Sequence, residues 1–266
     1  MKTLAELSNL QGRVALITGG AGHLGMAMAE ALAENGATVC LLDLNEERCQ
    51  ARVTELESRG GSAFYAAADL TDAAATRSAV REAAARHGRL DIIIHAASLV
   101  GTDRVQGWAV PFESQSLEAW QMAMRVGLDP AFTILQEARP HLEASGHGSV
   151  IFVSSIYGLV APDNSLYEGT QMQTPSAYSA VKGALNQLTR HFAALLAPKI
   201  RVNALTPGGI WRGQSETFIE RYNKRTPMGR MGREEDFKGA AAFLASDLSA
   251  YVTGHNLVVD GGWTAW

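Results

Sequence analysis

Only two of the 266 residues are cysteine, Cys40 and Cys49. Two thiols exclude a disulfide framework and neither stands at the spacing of a metal site, so a reducing compartment and no metal are expected. Long apolar runs are missing as well: no segment holds the ~18 uninterrupted apolar residues that a membrane span needs. Residues 1–11 lack the apolar stretch of a signal peptide. A cytoplasmic chain with no membrane partner follows. Nor does one sign of charge dominate. With 23 basic and 27 acidic residues the formal net charge is -4, and the basic residues are scattered, which argues against a surface for nucleic acid or anionic lipid.

What is present is a 47% hydrophobic composition over a length suited to one large α/β domain, taken as residues 1–266. Short β-branched or leucine-rich runs at 14–17, 38–42 and 90–94 predict buried parallel strands, with a further strand ending at Ala68. Helical periodicity fills the gaps at 26–34, at 46–59 behind a capping Asn45, and at 72–86. The alternation continues with a helix over 116–144, a strand over 149–153, a helix over 175–196 stopped by Pro198, and a strand over 201–205. A helix near 234–245 and a strand over 256–259 end it. This order predicts a single-domain, Rossmann-type, doubly wound parallel sheet with helices on both faces, which binds ligands beyond the carboxyl ends of its strands.

Directly after the first strand stands Thr18-Gly19-Gly20-Ala21-Gly22-His23-Leu24-Gly25. Glycines there let the backbone turn tightly and approach a diphosphate, whose charge meets the N–H groups opening the next helix. The second strand ends in Asp43, 24 residues after Gly19, near the ~20-residue offset at which a carboxylate accepts ribose hydroxyls. That carboxylate would repel a 2′-phosphate, so NAD is expected over NADP. Asp69 either accepts from the adenine amino group or caps the next helix.

At the other end, Pro175-Ser-Ala-Tyr178-Ser-Ala-Val-Lys182 puts Tyr178 and Lys182 four apart on one helical face. An ammonium beside a phenol favours the phenolate and should lower its pKa, giving a proton partner for hydride transfer to or from a carbonyl. Ser154-Ser155 closes the preceding strand within reach of the same crevice.

These pieces, with Asn203-Ala-Leu-Thr-Pro207-Gly208 and Val252-Thr-Gly-His-Asn-Leu-Val-Val-Asp260-Gly261-Gly262, resemble the short-chain dehydrogenase/reductase family over essentially the whole chain. The resemblance implies that Ser155 orients the substrate oxygen, Tyr178 is the acid/base, and Lys182 holds the nicotinamide ribose and the phenolate. It implies cofactor contacts from Gly19, Gly22, His23, Leu24, Gly25, Asp43, Asp69, Leu70, Ala96, Ala97, Tyr178, Lys182, Pro207, Gly208 and Ile210. A homotetramer, or a homodimer, is implied too, joined through the helices near 116–144 and 175–196.

Four departures stand out. The glycine spacing is that of the family's extended branch, which acts largely on nucleotide sugars, with His23 where the ordinary branch has glycine. His95-Ala96-Ala97-Ser98 replaces Asn-Asn-Ala-Gly, giving His95 a core or wall role. Gly127 stands in place of the catalytic asparagine; its backbone carbonyl can still accept from a relay water. Ser155 and Tyr178 lie 23 apart, wider than usual, leaving residues 156–175 as a substrate-side loop insertion that either sets specificity or is passive surface. Arg212 either meets a phosphate or carboxylate or is a solvated loop cation.

Motifs from Ser154 to Thr170, with the ending Trp263-Thr-Ala-Trp266, resemble a subgroup of bacterial flagellin and surface-sugar modification oxidoreductases. The expectation is an NAD(H)-dependent enzyme interconverting an alcohol and a ketone on a small hydroxylated molecule, such as a sugar or sugar nucleotide. The alternatives are an epimerase that retains its NAD, or a weakened NAD-binding protein because of Gly127.

Overall fold

The computed structural model describes residues 1–100 and 105–266. Seven strands, β1 (Val14–Thr18), β2 (Thr38–Asp43), β3 (Ser62–Ala67), β4 (Ile92–His95), β5 (Gly148–Val153), β6 (Ile200–Pro207) and β7 (Asn256–Val259), form one sheet. Every pairing is parallel and the order is β3-β2-β1-β4-β5-β6-β7. The chain moves outward from β1 to β3, then crosses back to lay β4 on the other side of β1. A crevice opens at that reversal, between the carboxyl ends of β1 and β4.

Strand residues alternate between two cores, as the period of two requires. Val14, Leu16, Val150 and Phe152 enter one; Ala15, Ile17, Ile151 and Val153 enter the other. Helices α4 (Ala73–His87), α5 (Leu117–Gly127), α6 (Asp129–Ser145) and α7 (Ser176–Leu196) cover the first face through residues such as Val80, Ala123, Leu142 and Leu185. Helices α2 (His23–Glu34), α3 (Glu46–Ser58) and α9 (Lys238–Ala245) cover the second through Met28, Leu56 and Leu244. Asn45 caps α3 by accepting from the Arg48 N–H at 2.8 Å, and Asp72 caps α4 by accepting from Ala74 at 2.8 Å. The remaining helices are the short amino-terminal α1 (Leu4–Ser8) and α8 (Glu216–Arg225). Among the described residues no helix is long and apolar enough to cross a membrane.

Three elements differ from expectation. The helix expected over 116–144 is two, because the chain breaks at Leu128 (φ -117, ψ -52) and Pro130 stands in the first turn of α6. Proline has no N–H and fits a first turn, so it starts a helix better than it continues one. The break ends α5 at Gly127. The segment expected as a helix over 234–245 opens as a 3-10 turn, Glu234–Phe237, before α9. Helix α8 was not expected; Ser215 caps it, and Phe218 and Tyr222, one turn apart, are buried.

Candidate active site

The turn between β1 and α2 is close-packed backbone. Gly19 has φ +64, and a Cβ there would lie 3.0 Å from the Ala97 backbone; a Cβ on Gly25 would lie 2.1 Å from the Gly19 carbonyl oxygen. No other residue fits either place. No side chain caps α2, because Gly22 stands at its N-cap, which leaves that helix end suited to an anion. Thr18 braces the turn against the next strand: its Oγ1 accepts from the N–H groups of Ala96 and Ala97, each at 3.2 Å.

Asp43 ends β2 with its carboxylate turned back to the same turn, accepting from Ala21 N–H at 3.2 Å and Leu44 N–H at 2.9 Å. A carboxylate has about four lone-pair sites, so acceptor capacity remains for ribose hydroxyls. Asp69 accepts from Thr71 N–H at 2.8 Å, fastening the β3 to α4 turn, while the helix cap is Asp72. Leu24 and Ile210 pack against the second core, and Leu70 against the first. Pro207 is the last residue of β6, and Gly208 donates to the Val259 carbonyl at 2.9 Å. This cradle of small residues, an uncapped helix and an acceptor carboxylate fits a dinucleotide.

Ser155 stands two residues past β5, capping a 3-10 turn, and Tyr178 and Lys182 lie on α7, whose first turn follows Pro175. Ser155 is 7% and Lys182 3% exposed. The Lys182 ammonium donates to the Val153 carbonyl at 2.8 Å and lies 5.5 Å from the centre of the Tyr178 ring. Burial lowers the lysine to about 8. The Ser154 hydroxyl donates to the Lys182 carbonyl at 3.0 Å, tying α7 to the strand end. A Cβ on Gly158 would lie 2.6 Å from the Lys182 backbone, so only glycine admits this approach.

One expectation is corrected. Burial holds the Tyr178 phenol above its ordinary value, and the Ser155 hydroxyl, by hydrogen bonding, works against that rise. The lysine beside the ring does not by itself bring the resting phenol toward neutrality, because desolvation opposes any charged form.

The place of Gly127 is equally specific. A Cβ on it would lie 2.8 Å from Val181 Cγ1, so no larger side chain fits without movement. Its carbonyl accepts from His95 Nε2 at 3.0 Å, and His95 Nδ1 is 2.8 Å from Thr18 Oγ1. The carbonyl can only accept, so Nε2 carries the hydrogen, and in a neutral ring Nδ1 takes the Thr18 hydroxyl hydrogen. Burial lowers His95 to about 4, which keeps it neutral. The Gly127 carbonyl, expected to face a relay water, thus already holds a protein partner.

Residues 156–175 are fastened rather than slack. The Tyr157 and Tyr167 hydroxyls are 2.7 Å apart. From α8, Arg221 donates to the Ser165 and Glu168 carbonyls at 3.0 and 2.6 Å, and Arg225 pairs with Asp163 at 2.9 Å. Tyr222 stacks on Trp263 with ring centres 4.4 Å apart, and its hydroxyl accepts from Gly209 N–H. Helix α8 therefore joins the loop to the turn after β6, a role the sequence reading missed. The readable signal was Ser215 ahead of Phe218 and Tyr222, with Arg221 and Arg225 one turn apart. Arg212 is half-buried and pairs with Glu234 near the glycine turn.

Residues 19–264 match a family model described as Enoyl-(Acyl carrier protein) reductase. The chain is 34% identical over 262 residues to the 2,5-dichloro-2,5-cyclohexadiene-1,4-diol dehydrogenase LinX of Sphingobium indicum, covering 97% of this chain and 98% of that protein. The chain belongs to the short-chain dehydrogenase/reductase family. This dehydrogenase is also 31% identical over 257 residues to the post-translational flagellin modification protein A of Campylobacter coli, covering 96% and 99% of the two chains. It matches the crystal structure of a gluconate 5-dehydrogenase from Burkholderia cenocepacia, in complex with NADP and tartrate, with TM-score 0.86 and 33% identity over 99% of this chain and 100% of that one. The protein is thus an oxidoreductase of this family.

Proposed function

We propose that the chain is an NAD(H)-dependent dehydrogenase that interconverts a secondary alcohol and a ketone on a small, multiply hydroxylated molecule. The observation that carries this reading is the convergence of Ser155, Tyr178 and Lys182 at the carboxyl end of β5, beside the dinucleotide cradle. A nicotinamide held in that cradle would supply or accept the hydride. Ser155 holds the substrate oxygen, and the Tyr178 hydroxyl gives that oxygen its proton on reduction or takes it on oxidation. Lys182 places positive charge beside the phenol ring and binds the nicotinamide ribose. The cofactor contacts are those from Gly19, Gly22, His23, Leu24, Gly25, Asp43, Asp69, Leu70, Ala96, Ala97, Pro207, Gly208 and Ile210.

Two features support the substrate class. The Tyr157 backbone N–H donates to Ser155 Oγ at 3.2 Å and the Tyr157 hydroxyl pairs with that of Tyr167, so residues 156–175 are tied to Ser155 and form that wall of the site. The named relatives are a diol dehydrogenase, a gluconate dehydrogenase and a protein of flagellin modification. A small molecule that carries more than one oxygen is in keeping with the diol and gluconate names. NAD is favoured over NADP by the Asp43 carboxylate. Exposed Trp120, Phe132 and Leu195 on α5, α6 and α7 support a homotetramer, or a homodimer, built through those helices. Both cysteines are free and buried, in keeping with a cytoplasmic setting.

The test follows reduced nicotinamide by absorbance with a panel of sugars, sugar nucleotides and cyclic diols. Turnover with NAD and release of NADH is expected, and Tyr178→Phe should lower kcat by about 10²–10⁴-fold while NADH still binds. A fully active Tyr178→Phe enzyme would overturn the assignment. Product interconversion without any NADH release would favour an epimerase instead. Mass in solution above the 28.4 kDa of one chain tests the assembly.

A further inference from the structure

Two charged side chains and an imidazole, from three parts of the chain, meet beside the glycine turn. His23 is the first residue of α2, Arg212 lies in the segment after β6, and Glu234 opens the 3-10 turn before α9. One carboxylate oxygen, Glu234 Oε1, faces both of the others: it pairs with Arg212 Nη1 and lies 3.8 Å from Nδ1 of His23, whose pKa burial and the Arg212 charge hold below its ordinary value, so that the ring is neutral. The other acidic groups of that turn are engaged elsewhere, Asp236 with Arg230 and Glu235 with Arg233. Of the acidic groups in that 3-10 turn, Glu234 is therefore the one that faces the entry to α2, next to the helix end at which an anion is favoured.

The backbone carrying Arg212 is fixed against the same wall. Gly232 donates to the Gly209 carbonyl and Trp211 to the Gly232 carbonyl, each at 2.9 Å. Arg212 N–H donates to Gln214 Oε1 at 2.7 Å, and Gln214 Nε2 donates to the Ile210 carbonyl at 2.8 Å. The guanidinium is thus held close to the turn, at 27% side-chain exposure, paired with Glu234 and donating to the Trp211 carbonyl at 2.9 Å. Burial lowers the Arg212 pKa and Glu234 pulls it back up.

We propose that Arg212 is a ligand of the cofactor's diphosphate, and that Glu234 is an internal anion that holds the guanidinium beside that place until the diphosphate takes it over. The inference rests on the dinucleotide reading of the glycine turn. A guanidinium matches phosphate oxygens in a planar fork, and two phosphates carry more charge toward it than one carboxylate. Glu234 then turns from partner to competitor. Substrate phosphate or carboxylate is not its target, because the Arg212 contacts lie at α2 and not at the Tyr157 to Tyr178 wall.

The test is equilibrium binding of NADH, ADP-ribose and adenosine to the full chain, by calorimetry and by the fluorescence of the neighbouring Trp211, which is 56% exposed. Arg212→Gln should weaken ADP-ribose and NADH by about tenfold or more, the size of one charge-assisted hydrogen bond, and leave adenosine unchanged. Glu234→Gln should bind ADP-ribose more tightly than wild type. Unchanged ADP-ribose affinity in Arg212→Gln, or an equal loss for adenosine, would overturn the role of Arg212. Weaker binding by Glu234→Gln would overturn the competition. If wild type binds neither NADH nor ADP-ribose, the dinucleotide reading itself has failed.

Discussion

His95 Nε2 donates to the Gly127 carbonyl across 3.0 Å, joining the end of β4 to the end of α5 beneath the glycine turn. The ring is neutral because burial lowers its pKa from 6.5 to about 4. Between those two values the unfolded chain takes up a proton that the folded chain refuses. Stability is therefore lost as pH falls from 6.5 toward 4, by about 3 kcal/mol in all. His95→Gln removes this titration. Its urea unfolding free energy should lie furthest below wild type at pH 7 and approach it as the pH nears 4; a constant difference would rule the linkage out.

Gly127 also meets Val181, the residue before Lys182. A methyl group at 127 would lie 2.8 Å from Val181 Cγ1, and overpacking of this kind costs about 1–3 kcal/mol, less the small gain in helix propensity. Gly127→Ala should be destabilised, and the cost should be smaller in a Val181→Ala background than in wild type, a coupling that a double-mutant cycle measures. If the cost were the same in both backgrounds, Val181 would not be the obstacle.

Much of this was legible because it is local. Residues 14–17 and 38–42 are apolar runs bounded by glycine or charge, and α7 places Tyr178 and Lys182 on one face at any site where it stays helical. The break at Leu128 was hidden, since apolar periodicity continues on both sides and Pro130 fits a first turn as well as a kink. The bond from His95 to Gly127, 32 residues apart, depends on where β4 and α5 meet, which no spacing encodes. Arg212 to Glu234 is of the same kind. The raised Tyr178 pKa was missed because the lysine is visible in sequence and the burial is not.

Lys182 is charged at neutral pH at a cost in stability. Its pKa falls from 10.5 to about 8 on burial. The penalty is present in full below pH 8 and is relieved as pH rises toward 10.5, where the folded chain has already released its proton. Lys182→Met loses the bond to the Val153 carbonyl but also the buried charge, so at pH 7 it should be about 1–3 kcal/mol more stable than wild type and inactive. The advantage should shrink above pH 8. A destabilised variant at pH 7 would show that the hydrogen bond outweighs desolvation.

Arg221 holds residues 165 and 168 by their carbonyls from α8. Arg221→Ala removes the fastening without touching Ser155, Tyr178 or Lys182. The expected effect is a several-fold rise in KM for a hydroxylated substrate with little change in kcat, because a loosened wall costs binding in ground and transition states alike. A fall in kcat at constant KM would place the loop in the chemical step.

Asp43 is the sharpest test of cofactor choice, because its carboxylate has two tasks that two variants separate. It accepts from Ala21 N–H within the glycine turn, and its charge would repel a 2′-phosphate. Asp43→Ala loses both, so affinity for NAD should fall for structural as well as selective reasons. Asp43→Asn keeps an acceptor for Ala21 and drops only the charge. If charge is the selector, both variants shift the ratio of kcat/KM values toward NADP, by about tenfold or more for the loss of ~1.4 kcal/mol of discrimination, and the asparagine variant does so with the turn intact. If only the alanine variant changes, and equally for both cofactors, Asp43 is a brace of the turn and selection lies elsewhere in the chain.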